Sequence, residues 1–355
     1  MISFYPGPSK VWDTLPRYMQ EAWESGILSV NHRSPQFAQL WQELVNTLHQ
    51  KLEIPENYTI LPASSATECW EIIAQSLLGP GGNSLHLYNG AFGEKWFEYT
   101  NKLTGAAHRF AFQPDELPDL ASLQTGGYQL LALTHNETSN GTALPDSFMH
   151  QLRMQHAAPL IAADATSSMG GVALPWGAAD VWFASVQKCF GLPAGLALMV
   201  CSPRAVAAAE ELGERNHYNS LLFMLDNARK HQTTHTPNVL NLYLLQRSLA
   251  ERHTQAAVHR ELVARQRQWL EFLRLQDHFE PLINNPVLQS TTILCLQGVP
   301  NEVSSLKAEA LAQGFYLGNG YGPWKNDTFR IANFPAITTQ EIEQLQGFFT
   351  HWLEH

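Results

Sequence analysis

Through its first two thirds the chain alternates short apolar runs with amphipathic stretches, and this alternation restricts the fold more than any other feature. Ser84–Tyr88, Gln129–Thr134, Leu160–Asp164, Asp180–Ser185 and Gly195–Cys201 are largely apolar runs of strand length. Pro35–Lys51, Thr67–Leu78, Lys95–Leu103 and Pro145–His156 carry apolar residues at helical spacing. Strands that are apolar throughout are tolerated only where both faces of the sheet are covered. The pattern therefore predicts an α/β unit with a mostly parallel sheet between helical layers. In such sheets ligands gather at the carboxyl ends of the strands, in the loops that follow.

From about Leu249 the pattern changes. A long helical stretch, Gln255–Leu275, leads to a strand-like run, Ser290–Gln297, and a helix, Glu302–Gln313. Two short strands (Gly314–Gly318 and Thr328–Asn333) and a final helix (Thr338–Leu353) follow. This order predicts a small α+β domain over residues 251–355, appended to a large domain over 1–250 that includes a substrate-side N-terminal segment. The length of 355 residues suits one large and one smaller domain.

Composition narrows the function classes. The net charge of -10 leaves no basic face for nucleic acid or an anionic membrane, although a few local arginines can still bind small anions. Cys69, Cys189, Cys201 and Cys295 lie far apart without metal-type spacing, so no metal site is expected and a reducing compartment is. The start, MISFYPGPSKVW, has neither the basic nor the apolar stretch of a signal peptide, and no run reaches membrane-helix length. A cytoplasmic protein is the expectation.

Two strand-end residues carry the chemistry. Lys188, in ASVQKCFGLPAG, follows a strand in an apolar loop, where desolvation favours the neutral amine that attacks an aldehyde. Alone, it reads equally as a solvated loop lysine. One strand earlier, Asp164 closes the aliphatic run of IAADATSSMGG, where an unpaired carboxylate is costly. A protonated pyridine nitrogen would offset that cost, and so would the turn at Thr166-Ser167 if Asp164 merely caps it.

Taken together, D-x-x-S-S from Asp164, S-x-Q-K ending at Lys188 and G-x-P-x-G from Gly191 resemble the class V branch of fold-type I pyridoxal-phosphate enzymes. The resemblance runs from Phe4 to Pro335 and is nearest to the phosphoserine aminotransferases and alanine/serine–glyoxylate aminotransferases. It implies a large domain with a seven-stranded type of sheet and pyridoxal 5'-phosphate as cofactor. By that resemblance Lys188 carries the cofactor as a Schiff base, Asp164 holds its ring nitrogen and Gln187 contacts its phosphate. Ala66 and Thr67, at the start of a helix after small residues, match the phosphate-binding turn, although Ser64 or Ser65 capping the helix accounts for the same residues. Phe92, between Gly90 and Gly93, matches the aromatic that stacks on the ring, and is otherwise a core residue. Thr138 of the N-E-T segment matches a hydrogen-bonding group near the cofactor.

His235 and Thr236, in THTPNVL, resemble the segment that relatives send across a dimer interface to the phosphate of the other subunit, which implies a homodimer. On the substrate side Arg330, in TFRIANFPA, matches the arginine that grips the substrate carboxylate, or else forms a structural ion pair. His32 and Arg33, in VNHRSPQF, match a pair that in phosphoserine aminotransferases holds the side-chain anion. Three departures from those enzymes stand out: Pro6 replaces an alanine, Pro323-Trp324 replaces a His-Arg pair, and a basic residue is lost near Thr67. The expected reaction is transamination between a small amino acid (phosphoserine, serine or alanine) and a 2-oxo acid. The alternative is a lyase or cysteine desulfurase on the same scaffold.

Overall fold

The computed structural model describes residues 1–79, 81–276 and 278–354. In chain order the strands are β1 (Ile2–Phe4), β2 (Thr59–Ala63), β3 (Ser84–Tyr88), β4 (Ala107–Ala111), β5 (Leu130–Thr134), β6 (Asn136–Glu137) and β7 (Thr142–Ala143). They continue with β8 (Leu160–Asp164), β9 (Val181–Ser185), β10 (Ala197–Cys201), β11 (Glu280–Pro281), β12 (Ile293–Gln297), β13 (Phe315–Asn319) and β14 (Thr328–Ala332). Seven of them form one sheet in the order β2-β10-β9-β8-β5-β3-β4. Its pairs are parallel from β4 to β9, while β10 runs against both neighbours.

Burial on both faces explains why these strands are apolar throughout. In β9, Trp182 and Ala184 enter one core and Val181 and Phe183 the other; β5 divides Leu131 and Leu133 from Leu130 and Ala132 in the same way. The second sheet has the order β1-β13-β14-β12-β11. Phe4, Phe329 and Ile331 from its strands pack with Trp269, Leu306 and Phe349 of the helices Gln255–Arg274, Pro300–Ala312 and Thr339–Leu353. The N-terminal strand thus lies in the same layer as the last third of the chain, with Ile2 paired to Phe315.

Several element ends differ from the pattern, each for a local reason. The helix expected to start at Lys95 starts at Ala91, because the Glu137 carboxylate, distant in sequence, accepts the N–H groups of Phe92 and Gly93 at 3.2 Å each. The strand expected from Ser290 begins at Ile293, since the Ser290 hydroxyl turns back to accept the N–H groups of Thr292 and Ile293. The strand expected from Gly314 begins at Phe315, because Gly314 takes a φ of 87° after the preceding helix. The helix expected over Thr67–Leu78 is α-helical over Ala66–Ile73 and continues as a π-turn over Ala74–Leu78.

The Glu137 cap leaves no room at the residue before it. A Cβ on Gly90 would lie 2.3 Å from Glu137 Cγ. We expect Gly90→Ala to destabilise the fold by about 1–3 kcal/mol, as overpacking does. An unchanged thermal midpoint for that variant would contradict this packing.

Candidate active site

The carboxyl ends of β5, β8 and β9 converge on a cavity of about 380 Å³, a size that suits a small cofactor. Ala66, Thr67, Phe92, Thr138, Asp164, Gln187 and Lys188 all line it, so these sequence-predicted residues come together in one place. Asp164 is the last residue of β8 and Lys188 follows its parallel neighbour β9, which sets the two side chains along adjacent strand ends.

Lys188 is 6% exposed and its Nζ donates to Thr138 Oγ1 at 2.6 Å. The same nitrogen lies 5.1 Å from the centre of the Phe92 ring. Burial pushes its pKa down to about 8, against the opposing pull of Asp164 and Glu137. Gly7 brings the N-terminal segment against the lysine: a Cβ there would lie 2.9 Å from Lys188 Cε, and its φ of 151° disfavours any side chain. Ser9 N–H donates to Gln187 O at 3.0 Å and holds that segment in place.

Asp164 is buried, and burial raises its pKa, partly opposed by Thr166 and Lys188. Its Oδ1 accepts the N–H of Thr166 at 2.9 Å and its Oδ2 accepts Trp70 Nε1 at 3.3 Å. Among the described residues it accepts these neutral donors and forms no salt bridge, which leaves a buried carboxylate facing the cavity with only the longer-range pull of Lys188 against its charge. The Thr134 hydroxyl, which also lines the cavity, is buried without a hydrogen-bond partner. A group with a cationic ring nitrogen and polar substituents fits this lining.

At the helix Ala66–Ile73, Ser65 caps through Glu68 N–H, and Ala66 N–H donates to Ser185 Oγ at 2.7 Å. Capping by Ser65 and placement of Ala66 and Thr67 at the cavity therefore hold together. Ser185, the first residue of the S-x-Q-K motif, ties this turn to the end of β9.

Arg330, on β14, is buried and reaches the site from the second sheet. Its Nη1 donates to Thr138 O at 2.8 Å and its Nε to Asn319 O at 2.7 Å. Among the described residues these bonds end on carbonyls, and no carboxylate forms a structural ion pair with it. Arg330 and Lys188 thus grip the two ends of one residue, Thr138.

His32, Arg33, His235 and Thr236 lie outside this cavity's lining and gather elsewhere on the subunit. Thr236 Oγ1 is 3.4 Å from His32 Nδ1, Arg33 Nη1 donates to Gln232 Oε1 at 2.9 Å, and His235 packs edge-on against Tyr218. Burial, with Arg33 and His235 nearby, lowers the His32 pKa.

Residues 6–297 match the family described as Aminotransferase class-V. The chain belongs to this family. It is a pyridoxal-phosphate-dependent aminotransferase. It is similar to the phosphoserine aminotransferase of Rhodococcus opacus, 27% identical over 355 residues, covering 96% of this chain and 91% of that one. A phosphoserine aminotransferase structure from Cytophaga hutchinsonii superposes with a TM-score of 0.92 at 29% identity, over 99% of this chain and 98% of that one. Alanine–glyoxylate aminotransferase from Nostoc shares the fold, with a TM-score of 0.85 at 20% identity over 99% and 95% of the two chains.

Trp70 and Lys95 also line the cavity, and Glu137 and Tyr321 are hydrogen-bonded to residues that do; the sequence pattern singled out none of the four. Trp70 lies one helical turn beyond Ala66 and Lys95 nearly one turn beyond Phe92, so helical spacing from the motif residues would have flagged both. Glu137 sits inside the N-E-T segment beside Thr138, while nothing in the sequence around Tyr321 points to the cavity.

The depressed Lys188 pKa has a measurable consequence. Below about 8 the amine is protonated and cannot attack an aldehyde; above it the neutral form prevails. Capture of pyridoxal phosphate by cofactor-free protein should therefore accelerate with pH and level off above about 8. A rate that is flat between about pH 6 and about pH 9 would rule this out.

Proposed function

We propose that this aminotransferase moves an amino group between a small amino acid and a 2-oxo acid, with phosphoserine the first donor to test against serine and alanine. The observation that carries the reading is the buried Lys188 amine, hydrogen-bonded to Thr138 and sharing a cavity with the buried Asp164 carboxylate, which forms no salt bridge among the described residues. When bound, pyridoxal phosphate supplies an aldehyde for the amino group and a ring that withdraws electrons from the substrate's α-carbon. Lys188 would hold that aldehyde and, once freed by the incoming amine, would carry the proton between the substrate's α-carbon and the C4' carbon. Asp164 would keep the ring nitrogen protonated. Ala66, Thr67 and Gln187 would hold the phosphate and Phe92 would stack on the ring, while Thr138 orients Lys188. Arg330 takes the substrate's α-carboxylate through its guanidinium fork.

A desulfurase needs a reactive thiolate, and all four cysteines are buried, with Cys189, Cys201 and Cys295 pushed up to about 12 by burial. That chemistry supports the transaminase reading over a desulfurase.

The finer assignments belong to the same proposal. We infer a homodimer in which His235 and Thr236 of each subunit approach the cofactor phosphate of the other, with His32 and Arg33 beside them. Their gathering on one surface away from the subunit's own cavity supports this. The two domains part near residue 250. Among the described residues no helix is long and apolar enough to cross a membrane, and four free cysteines suit the cytoplasm.

A half-reaction screen of the cofactor-loaded protein tests the substrate. Phosphoserine, serine, alanine and glutamate are each mixed with the pyridoxal form in the absence of acceptor, and the released 2-oxo acid is measured. Release from a small amino acid supports the reading. If none of the four yields its 2-oxo acid, the reading fails.

A further inference from the structure

The wall of the Lys188 cavity carries a second ammonium group to which the steps above give no task. Lys95 lies in the first turn of the helix Ala91–Thr104 and lines the same cavity as Lys188. Its Nζ donates to Tyr321 Oη at 2.6 Å, and lies 5.5 Å from the Phe92 ring centre and 5.2 Å from that of Tyr321. On the other sheet, the Arg330 guanidinium carbon lies 5.5 Å from the same Tyr321 ring. Two cations therefore border one aromatic ring. Lys95 is held by a phenol and Arg330 by carbonyls, so among the described residues no ion pair neutralises either of them.

Charge balance gives Lys95 a use. The cavity region contains two buried acids, Asp164 and Glu137, and an incoming anion is repelled by both. Arg330 can neutralise one carboxylate, and Lys188 ceases to be a free cation once it holds an aldehyde. A substrate with a second anion on its side chain needs one more positive group. Lys95 has three N–H donors, of which Tyr321 occupies one. A strut between the helix and Tyr321 would need only that one bond and no charge at all.

We propose that Lys95, steadied by Tyr321, is a specificity-determining residue that binds the side-chain anion, carboxylate or phosphate, of the amino acid whose α-carboxylate Arg330 holds. This rests on the assignment of Arg330 under the proposed transamination. It predicts a preference for amino acids that carry two anionic groups.

The experiment compares cofactor-loaded wild type with Lys95→Met and Lys95→Arg. In wild type, kcat/KM should favour glutamate or phosphoserine over alanine. In Lys95→Met that ratio should fall by about 10-fold or more, the usual worth of a hydrogen bond to a charged group, and Lys95→Arg should recover part of it. Binding of glutarate against butyrate, read by calorimetry on the same proteins, should show the same loss without any turnover. Arg33→Ala serves as the comparison for the surface cluster.

Equal losses for alanine and for the dianionic substrates, or an unchanged ratio in both assays, overturn the proposal and leave Lys95 a strut. Selectivity lost in Arg33→Ala and kept in Lys95→Met overturns it too. If no donor turns over but glutarate selectivity is present and disappears in Lys95→Met, the anion site stands and the transamination reading falls.

Discussion

Replacing Lys188 by alanine is expected to lower transaminase turnover by between about 100-fold and about 10,000-fold, the range typical for loss of a positioned proton-transfer group. It should also abolish covalent retention of the cofactor. The buried amine lies 2.6 Å from Thr138 Oγ1 and has its pKa depressed to about 8, so near neutral pH a far larger fraction of it is neutral than of an ordinary lysine. Borohydride reduction followed by mass spectrometry reads the covalent bond directly, and steady-state turnover reads the proton transfer. Unimpaired turnover together with a reducible adduct elsewhere in the chain would remove Lys188 from both roles. Alanine at 188 leaves Thr138 free to donate to Ser167 Oγ, as it already does at 3.1 Å, so loss of fold is not the expected cause.

The second large effect is expected at Asp164. Asp164→Asn keeps the shape and removes the charge, and turnover should drop by about 100- to 1,000-fold, as when a preorganised electrostatic group is lost. Stability should move little. Among the described residues the buried carboxylate accepts neutral donors from Thr166 and Trp70, and its desolvation outweighs the pull of Lys188, so removing its charge relieves desolvation. Against that, an amide has one acceptor oxygen, and one of the two donors loses its partner at a cost of about 1–3 kcal/mol. The opposite signs predict a cofactor-free variant that melts near wild type while its loaded form is nearly inactive. A variant with wild-type turnover would show that the carboxylate does not set the charge on the ring nitrogen. A variant that fails to fold would show that its role is to hold the turn.

Residues buried on two faces were the easiest to read. β3, β5, β8 and β9 show as apolar runs because helices cover both sides, and Asp164 and Lys188 stood out as polar groups at the ends of those runs. β4 did not show, since Ala107–Ala111 is an edge strand with exposed His108, Arg109 and Ala111, and a half-solvated edge has no reason to be apolar. β1 is only three residues long, too short for any period to be visible, and its partner is in the last third of the chain. The antiparallel course of β10 is equally silent, because direction within a sheet leaves no mark on a strand buried on both faces.

The site divides in the same way. Ala66, Thr67, Phe92, Thr138 and Gln187 sit in short motifs next to strand ends, where local pattern and place coincide. Trp70, Glu137 and Tyr321 act through contacts between distant segments: indole to Asp164, carboxylate to the turn at Phe92, phenol to Lys95. Such contacts depend on how elements pack, which no window of sequence contains. The clustering of His32 with Thr236 is of this kind as well, and only the fold reveals that two separately chosen segments share one surface.

The pairing of β1 with β13 bears on how the protein is made. Ile2 leaves the ribosome about 300 residues before its partner Phe315. Gly7 and Pro8, which line the cavity beside Lys188, lie between that strand and the Ser9–Gln187 bond, and are tied on one side only until then. The large sheet can collapse while translation continues, since its neighbours β3, β4, β5, β8 and β9 follow one another closely in the chain. Closing the longest loop comes last, and it completes the wall of the lysine pocket. A nascent chain stalled before residue 315 should therefore protect the large sheet against protease while residues 1–6 remain open to cleavage.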